Sequence, residues 1–162
     1  MATESRPSFD PRNLPKVDGI HRVGVVVSKW NPEITHALRD GALAVLKAAG
    51  MLNIDVHEVP GAFELPLGAS WLLNRKRCQA VIAIGSVVRG ETAHFDYVCA
   101  STANGLMNLG LSEERPVIFC VLTDDNIEQS RARAGGALGN KGEEAALACL
   151  QMLALKDEID ED

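Results

Sequence analysis

His94 is the histidine best placed for chemistry, because it closely follows the run Gly90-Glu91-Thr92. That run reads as the start of a helix after a strand. Free backbone N–H groups at such a start make a natural site for one phosphate group. An imidazole just inside the helix could exchange protons near neutral pH with a ligand held there. Gly85 to Thr92 also has the spacing of a nucleoside-triphosphate loop, but Glu91 stands where that loop needs lysine. A triphosphate would meet an anion, so that chemistry is excluded. Without its neighbours, His94 would read as a surface or packing residue.

Other short segments carry candidates. Trp30 and Asn31 pair an aromatic with an amide, which could stack on and hydrogen-bond a planar ring; equally, Trp30 could pack and Asn31 cap a helix. Pro60 to Pro66 sets Ala62, Phe63 and Glu64 in a shape fixed by two prolines and a glycine. Glu64 could bind ligand hydroxyls or serve only the helix dipole. Thr123-Asp124-Asp125-Asn126 is acidic, but no histidine or cysteine accompanies it at ligand spacing, so it reads as a helix cap. Arg133 and Lys141 stand among glycines. Arginine suits phosphate and lysine acts as a mobile point charge, although both could merely offset Glu143 and Glu144.

The elements that must position these residues alternate along the chain. His21 to Val27, Ile54 to Val59, Ala80 to Ile84 and Val117 to Leu122 are short apolar runs that read as buried strands. Helical patterns follow each: from Asn31-Pro32 to Gly50, from Glu64 to Arg75, from the Gly90 region through Leu109, and from Asn126 to Arg133. A last helix runs from Lys141 to Leu155, with Leu147, Leu150 and Ala154 on one face. Four repeats of strand and helix predict a three-layer α/β/α sandwich with a four-stranded parallel sheet and helices on both faces. Ligands in such folds lie at the carboxyl ends of the strands, where the candidates fall. The body spans 19–156. Residues 1–18, with three prolines, read as an extended arm and 157–162 as a disordered acidic tail.

Composition narrows the class. The 162 residues are 46% hydrophobic and 23% charged, ordinary for one soluble domain. Five acids of the tail account for most of the net charge of −6, so the body is nearly neutral and lacks the basic field a nucleic-acid partner needs. Cys78, Cys99, Cys120 and Cys149 form no Cys-x-x-Cys pair and read as reduced thiols. No run resembles a signal peptide or a membrane span, which predicts a cytoplasmic protein with no membrane partner.

The segments SKWN, VPGAFELP, GSVVRGETAHFDYV, PVIFCVLTDDNIEQ and RAGGALGNKG together resemble the lumazine synthase family, in its order and spacing, from about Arg22 to Leu155. The resemblance implies a flavodoxin-like sheet and the penultimate step of riboflavin biosynthesis. In that step 5-amino-6-(D-ribitylamino)uracil and 3,4-dihydroxy-2-butanone 4-phosphate condense to 6,7-dimethyl-8-ribityllumazine. It places Trp30 on the pyrimidine ring, Asn31, Ala62 and Glu64 around the ribityl chain, and Phe63 among the substrate-binding residues. Val87 and Val88 would present backbone groups to the pyrimidine. Gly90, Glu91, Thr92 and Arg133 match the phosphate site, and His94 the proton-transfer residue. Phe119, Lys141 and Arg133 match positions supplied by an adjacent subunit. Position 30 is more often Phe in the family, and Glu91 is an anion beside a phosphate. No metal, nucleotide or flavin cofactor is implied. The implied partners are copies of the chain, in a pentamer or a 60-subunit capsid, and riboflavin synthase. An inert flavin- or pterin-binding module and a shell protein are the alternative readings on this fold.

Overall fold

The computed structural model describes residues 9–161. Strands β1 (Arg22–Ser28), β2 (Asn53–Val59), β3 (Ala80–Val88) and β4 (Val117–Asp124) form one parallel sheet in the order β2-β1-β3-β4. Five helices accompany it: α1 (Pro32–Ala48), α2 (Leu65–Asn74), α3 (His94–Glu113), α4 (Ile127–Arg133) and α5 (Lys141–Glu161). A hairpin of β5 (Ala134–Gly136) and β6 (Gly139–Asn140), which the sequence reading did not anticipate, joins α4 to α5.

Side chains alternate across a strand, so each strand feeds two cores. Val23, Val25, Val27, Ile82 and Ile84 join Leu38 and Leu46 of α1 and Cys149, Leu150 and Leu153 of α5. Val26, Val81 and Ala83 join Leu65, Ala69 and Leu72 of α2 and Leu106 of α3. These are the three predicted layers. The chain first steps from β1 to β2, then returns to the other side of β1 for β3. The reversal leaves a crevice above the carboxyl ends of β1 and β3.

Close approaches fix both layers. A Cβ on Gly24 would meet Leu72, and one on Gly68 would meet Val26 and Val59, so α2 lies close on the sheet. At the start of α5, a Cβ on Gly142 would run into the Leu38 carbonyl of α1. Nearby, Asn140 Nδ2 donates to the Ala37 carbonyl at 3.0 Å, and its Oδ1 accepts from the Gly142 N–H at 2.8 Å.

Several boundaries differ from the sequence reading. β3 runs to Val88, and β4 to Asp124, because Val87 pairs with Thr123 and Val88 with Asp124. Backbone pairing continues after the apolar run has ended. α3 begins at His94, so Gly90, Glu91 and Thr92 form the loop before the helix rather than its first turn. The buried face of α5 is Gly142, Ala145, Ala146, Cys149, Leu150 and Leu153; Leu147 and Ala154 are half-buried flanks.

Both ends also need correction. Phe9, Leu14 and Val17 pack against the α1/α5 core, so this part of the expected arm lies on its own body; residues 1–8 fall outside the described residues. The acidic segment continues α5 through Glu161 rather than forming a separate tail. His21 Nε2 lies 2.9 Å from an Asp157 carboxylate oxygen, and Lys156 pairs with Asp160 one turn on. An i,i+4 ion pair and an anchor on β1's approach favour helix there. No helix among the described residues is long and apolar enough to cross a membrane.

Candidate functional site

A cleft of about 620 Å³ opens above the carboxyl end of the sheet. The 62–64 turn before α2 forms one wall, and His94 and Val98 of α3 form another. Ser86, Val87 and Val88 of β3 and the Trp30-Asn31 turn complete it. Thr102 Oγ1 of α3 donates to the Ala62 carbonyl at 3.1 Å, a buried bond that ties the two walls together.

Trp30 is 71% exposed and Phe63 62% exposed, so two large aromatic faces stand open on the cleft. Core packing does not account for Trp30. The Asn31 side chain does not cap α1 either. The residue stands at the helix's N-cap position in the left-handed region at φ 52°, but its side chain makes no capping bond and donates from Nδ2 to the Ser86 carbonyl at 3.1 Å. Asparagine tolerates this conformation better than most residues, though at a cost. The amide thereby links β1's turn to β3 across the crevice.

Gly61 is buried beside both Trp30 and Glu64. A Cβ there would lie 3.2 Å from the Glu64 carboxylate and 3.4 Å from the Trp30 ring. A side chain at 61 would crowd the carboxylate and fill the space beside the ring. Glu64 makes no capping bond to α2, which leaves its carboxylate for the cleft.

His94 opens α3 and is exposed, with its backbone N–H donating to Thr92 Oγ1 at 3.4 Å. Gly90, Glu91 and Thr92 are exposed beside it. Gly90 has no positive φ, and a Cβ there would meet nothing within 4 Å. The fold therefore does not require glycine at 90, whereas close approach of a ligand to the backbone would.

The cleft brings together Trp30, Asn31, Ala62, Phe63, Glu64, Val87, Val88 and His94. Gly90, Glu91 and Thr92, in the loop before His94, do not line it, nor do Phe119, Arg133 and Lys141. Phe119 is exposed on the edge strand β4. Arg133 ends α4, where its Nη1 donates to the Gln129 carbonyl at 2.9 Å. Lys141 starts α5 and pairs with Glu144 at 2.9 Å. In the 123–126 turn, Asn126 accepts from the Gln129 N–H at 3.0 Å, so it is a helix cap. Among the described residues no three His, Cys, Asp or Glu side chains gather as a metal site. Gly61, Ser86 and Val98 line the cleft and were missed. The Pro60-Gly61 pair was the available signal for the first; Ser86 reads as loop and Val98 as core.

An α/β/α domain with a ring-sized cleft at the strand switch point, two open aromatics, a carboxylate and a histidine is the frame of a small-molecule enzyme. Residues 21–157 match the sequence model of 6,7-dimethyl-8-ribityllumazine synthase. The 6,7-dimethyl-8-ribityllumazine synthase of Cytophaga hutchinsonii is 51% identical over 133 residues, 81% of this chain and 84% of that protein. That of Christiangramia forsetii is 45% identical over 161 residues, 96% and 95%. That of Phocaeicola vulgatus is 44% identical over 153 residues, 93% and 90%. The chain belongs to the lumazine synthase family.

Proposed function

We propose that the chain condenses 5-amino-6-(D-ribitylamino)uracil with 3,4-dihydroxy-2-butanone 4-phosphate to give 6,7-dimethyl-8-ribityllumazine, phosphate and water in riboflavin biosynthesis. The family match over residues 21–157 carries this reading. The relatives bear an enzyme's name, which favours turnover over an inert ring-binding module or a shell protein.

The pyrimidine's amine is the nucleophile, so the protein need not supply one. It attacks the ketone, and loss of water leaves an imine. Phosphate departs, the four-carbon chain isomerises, and the second amine closes the ring with loss of another water. Such steps depend on orientation, which supplies on the order of 7–11 kcal/mol in well-held pairs. In this reading Trp30 stacks on the pyrimidine, while backbone groups of Val87 and Val88 bond its edge. Asn31, Ala62 and Glu64 hold the ribityl chain, and Phe63 contacts the substrates beside them. The N–H groups of Gly90, Glu91 and Thr92 take the phosphate, the Glu91 side chain pointing away. His94 moves protons between the two substrates.

Arg133, Phe119 and Lys141 complete the site from the next copy of the chain. Their separation from the cleft within one chain supports this arrangement. A head-to-tail contact that closes is a ring, here a pentamer. Further assembly into a 60-subunit capsid, association with riboflavin synthase and a cytoplasmic location belong to the same reading.

Mixing the two substrates with the purified chain should produce lumazine absorbance; none would defeat the activity. Arg133→Gln and His94→Ala, each impaired alone, should regain activity when unfolded together and refolded as mixed rings. No regain in mixed rings would defeat the shared site.

A further inference from the structure

Arg89 has no part in the roles above, yet its side chain joins the turn after β4 to the first turn of α3, across the 90–92 loop. It directly follows β3, and its backbone N–H donates to the Asp124 carbonyl at the end of β4 at 2.9 Å. Its Nε donates to Asp125 at 3.0 Å and its Nη1 to Asp96 at 3.3 Å. The guanidinium carbon lies 4.1 Å from the centre of the Phe95 ring. Phe95 is only 8% exposed, so that ring is a fixed platform.

The consequence lies in what these contacts enclose. The main chain leaves β3 at Arg89, passes through 90–93 and enters α3 at His94. Arg89's side chain spans the same gap and lands on Phe95 and Asp96, in the helix's first turn. The loop is thus closed twice, once by the backbone and once by the guanidinium. Asp125 ties that closure to the turn after β4. The loop itself is exposed, and a Cβ at Gly90 would touch nothing, so its shape is set from its two ends.

We infer that Arg89 is a positioning residue: by bridging Asp125, Asp96 and the Phe95 ring, it holds the 90–92 backbone and His94 in place for the phosphorylated substrate. This rests on the reading that the loop takes the phosphate. Arg89 does not act as the phosphate's own cation, because two carboxylates already engage it. A lysine would keep the charge but could not make the forked contact and lie flat on the ring.

Exposed ion pairs and a single cation–π contact are individually weak, so Arg89→Gln should raise the butanone phosphate KM only roughly three- to tenfold. The KM for the pyrimidine and the melting temperature should stay as in the parent. Arg89→Lys should share most of that rise. Gly90→Val, run alongside, reports on the loop: its Cβ meets nothing within 4 Å, and its side chain should obstruct the phosphate. If Gly90→Val leaves the ketone KM unmoved, the loop reading falls and this inference with it. If Gly90→Val raises that KM while the Arg89 variants do not, only the clamp falls. A lysine variant matching the parent, or both KM values rising together, would likewise overturn it.

Discussion

The two faces of the sheet are packed differently. On one, α1 and α5 close over the strands and cross without room for a methyl group at Gly142. On the other, α2 lies close through Gly24 and Gly68, but α3 buries only Phe95, Thr102 and Leu106. The left-handed Asn31 and the open rings of Trp30 and Phe63 surround the cleft, which α3 helps to wall. Residues on the closed face are fixed by packing against neighbours, while those at the cleft are held by bonds that leave their functional atoms open. The closed face should therefore govern stability and the open end turnover.

Gly142→Val should give the largest effect and test that division directly. The added side chain meets main chain rather than a flexible side chain. Overpacking usually costs about 1–3 kcal/mol, and a backbone collision should reach the upper end or beyond. Thermal and urea unfolding would read it; a parent-like melting point would mean that the crossing is looser than described. His94→Ala should do the opposite. It removes an exposed ring, so the melting temperature should hold while kcat falls roughly a hundredfold, the low end of general acid–base help. Arg133→Gln should lower kcat/KM for the phosphorylated ketone about ten- to a hundredfold, the worth of a charged hydrogen bond. An unchanged value with stability intact would remove Arg133 from the site.

The sandwich was legible because its strands are unbroken apolar runs separated by helical periods. The strand ends were not, since Ser86, Thr123 and Asp124 look like loop although they pair in the ladder. Asn31-Pro32 spells a helix start, and the helix does begin at Pro32, but the amide turned to β3 instead of capping. A local motif gives the backbone's direction and leaves open a tertiary bond at residue 86. Cleft residues with distinctive side chains were readable as candidates, and the resemblance sorted them into roles. Gly61, Ser86 and Val98 were not readable, because their contribution is the space or backbone they offer. The 134–140 hairpin hid among glycines, two of which, Gly135 and Gly139, adopt positive φ.

The smallest effect separates the faces by their thiols. Burial pushes Cys120 and Cys149, both in the α1/α5 core, up to about 12, and Cys78 on the other face up to about 11. An unfolded chain releases those protons near the ordinary thiol value, about 9. Between the two values the folded chain binds more protons than the unfolded one, so unfolding free energy falls as pH rises. This contribution is complete below about pH 9 and is lost toward the folded value. At pH 10 each strongly shifted thiol should have cost on the order of 1 kcal/mol relative to pH 8. Cys149→Ala should thus be less stable than the parent at pH 8, with a gap that narrows by about that amount at pH 10. Urea titrations at both pH values would measure the narrowing. A gap independent of pH would mean that Cys149 ionises as readily in the folded chain as in the unfolded one, and the closed face would then be more open to water than its packing implies.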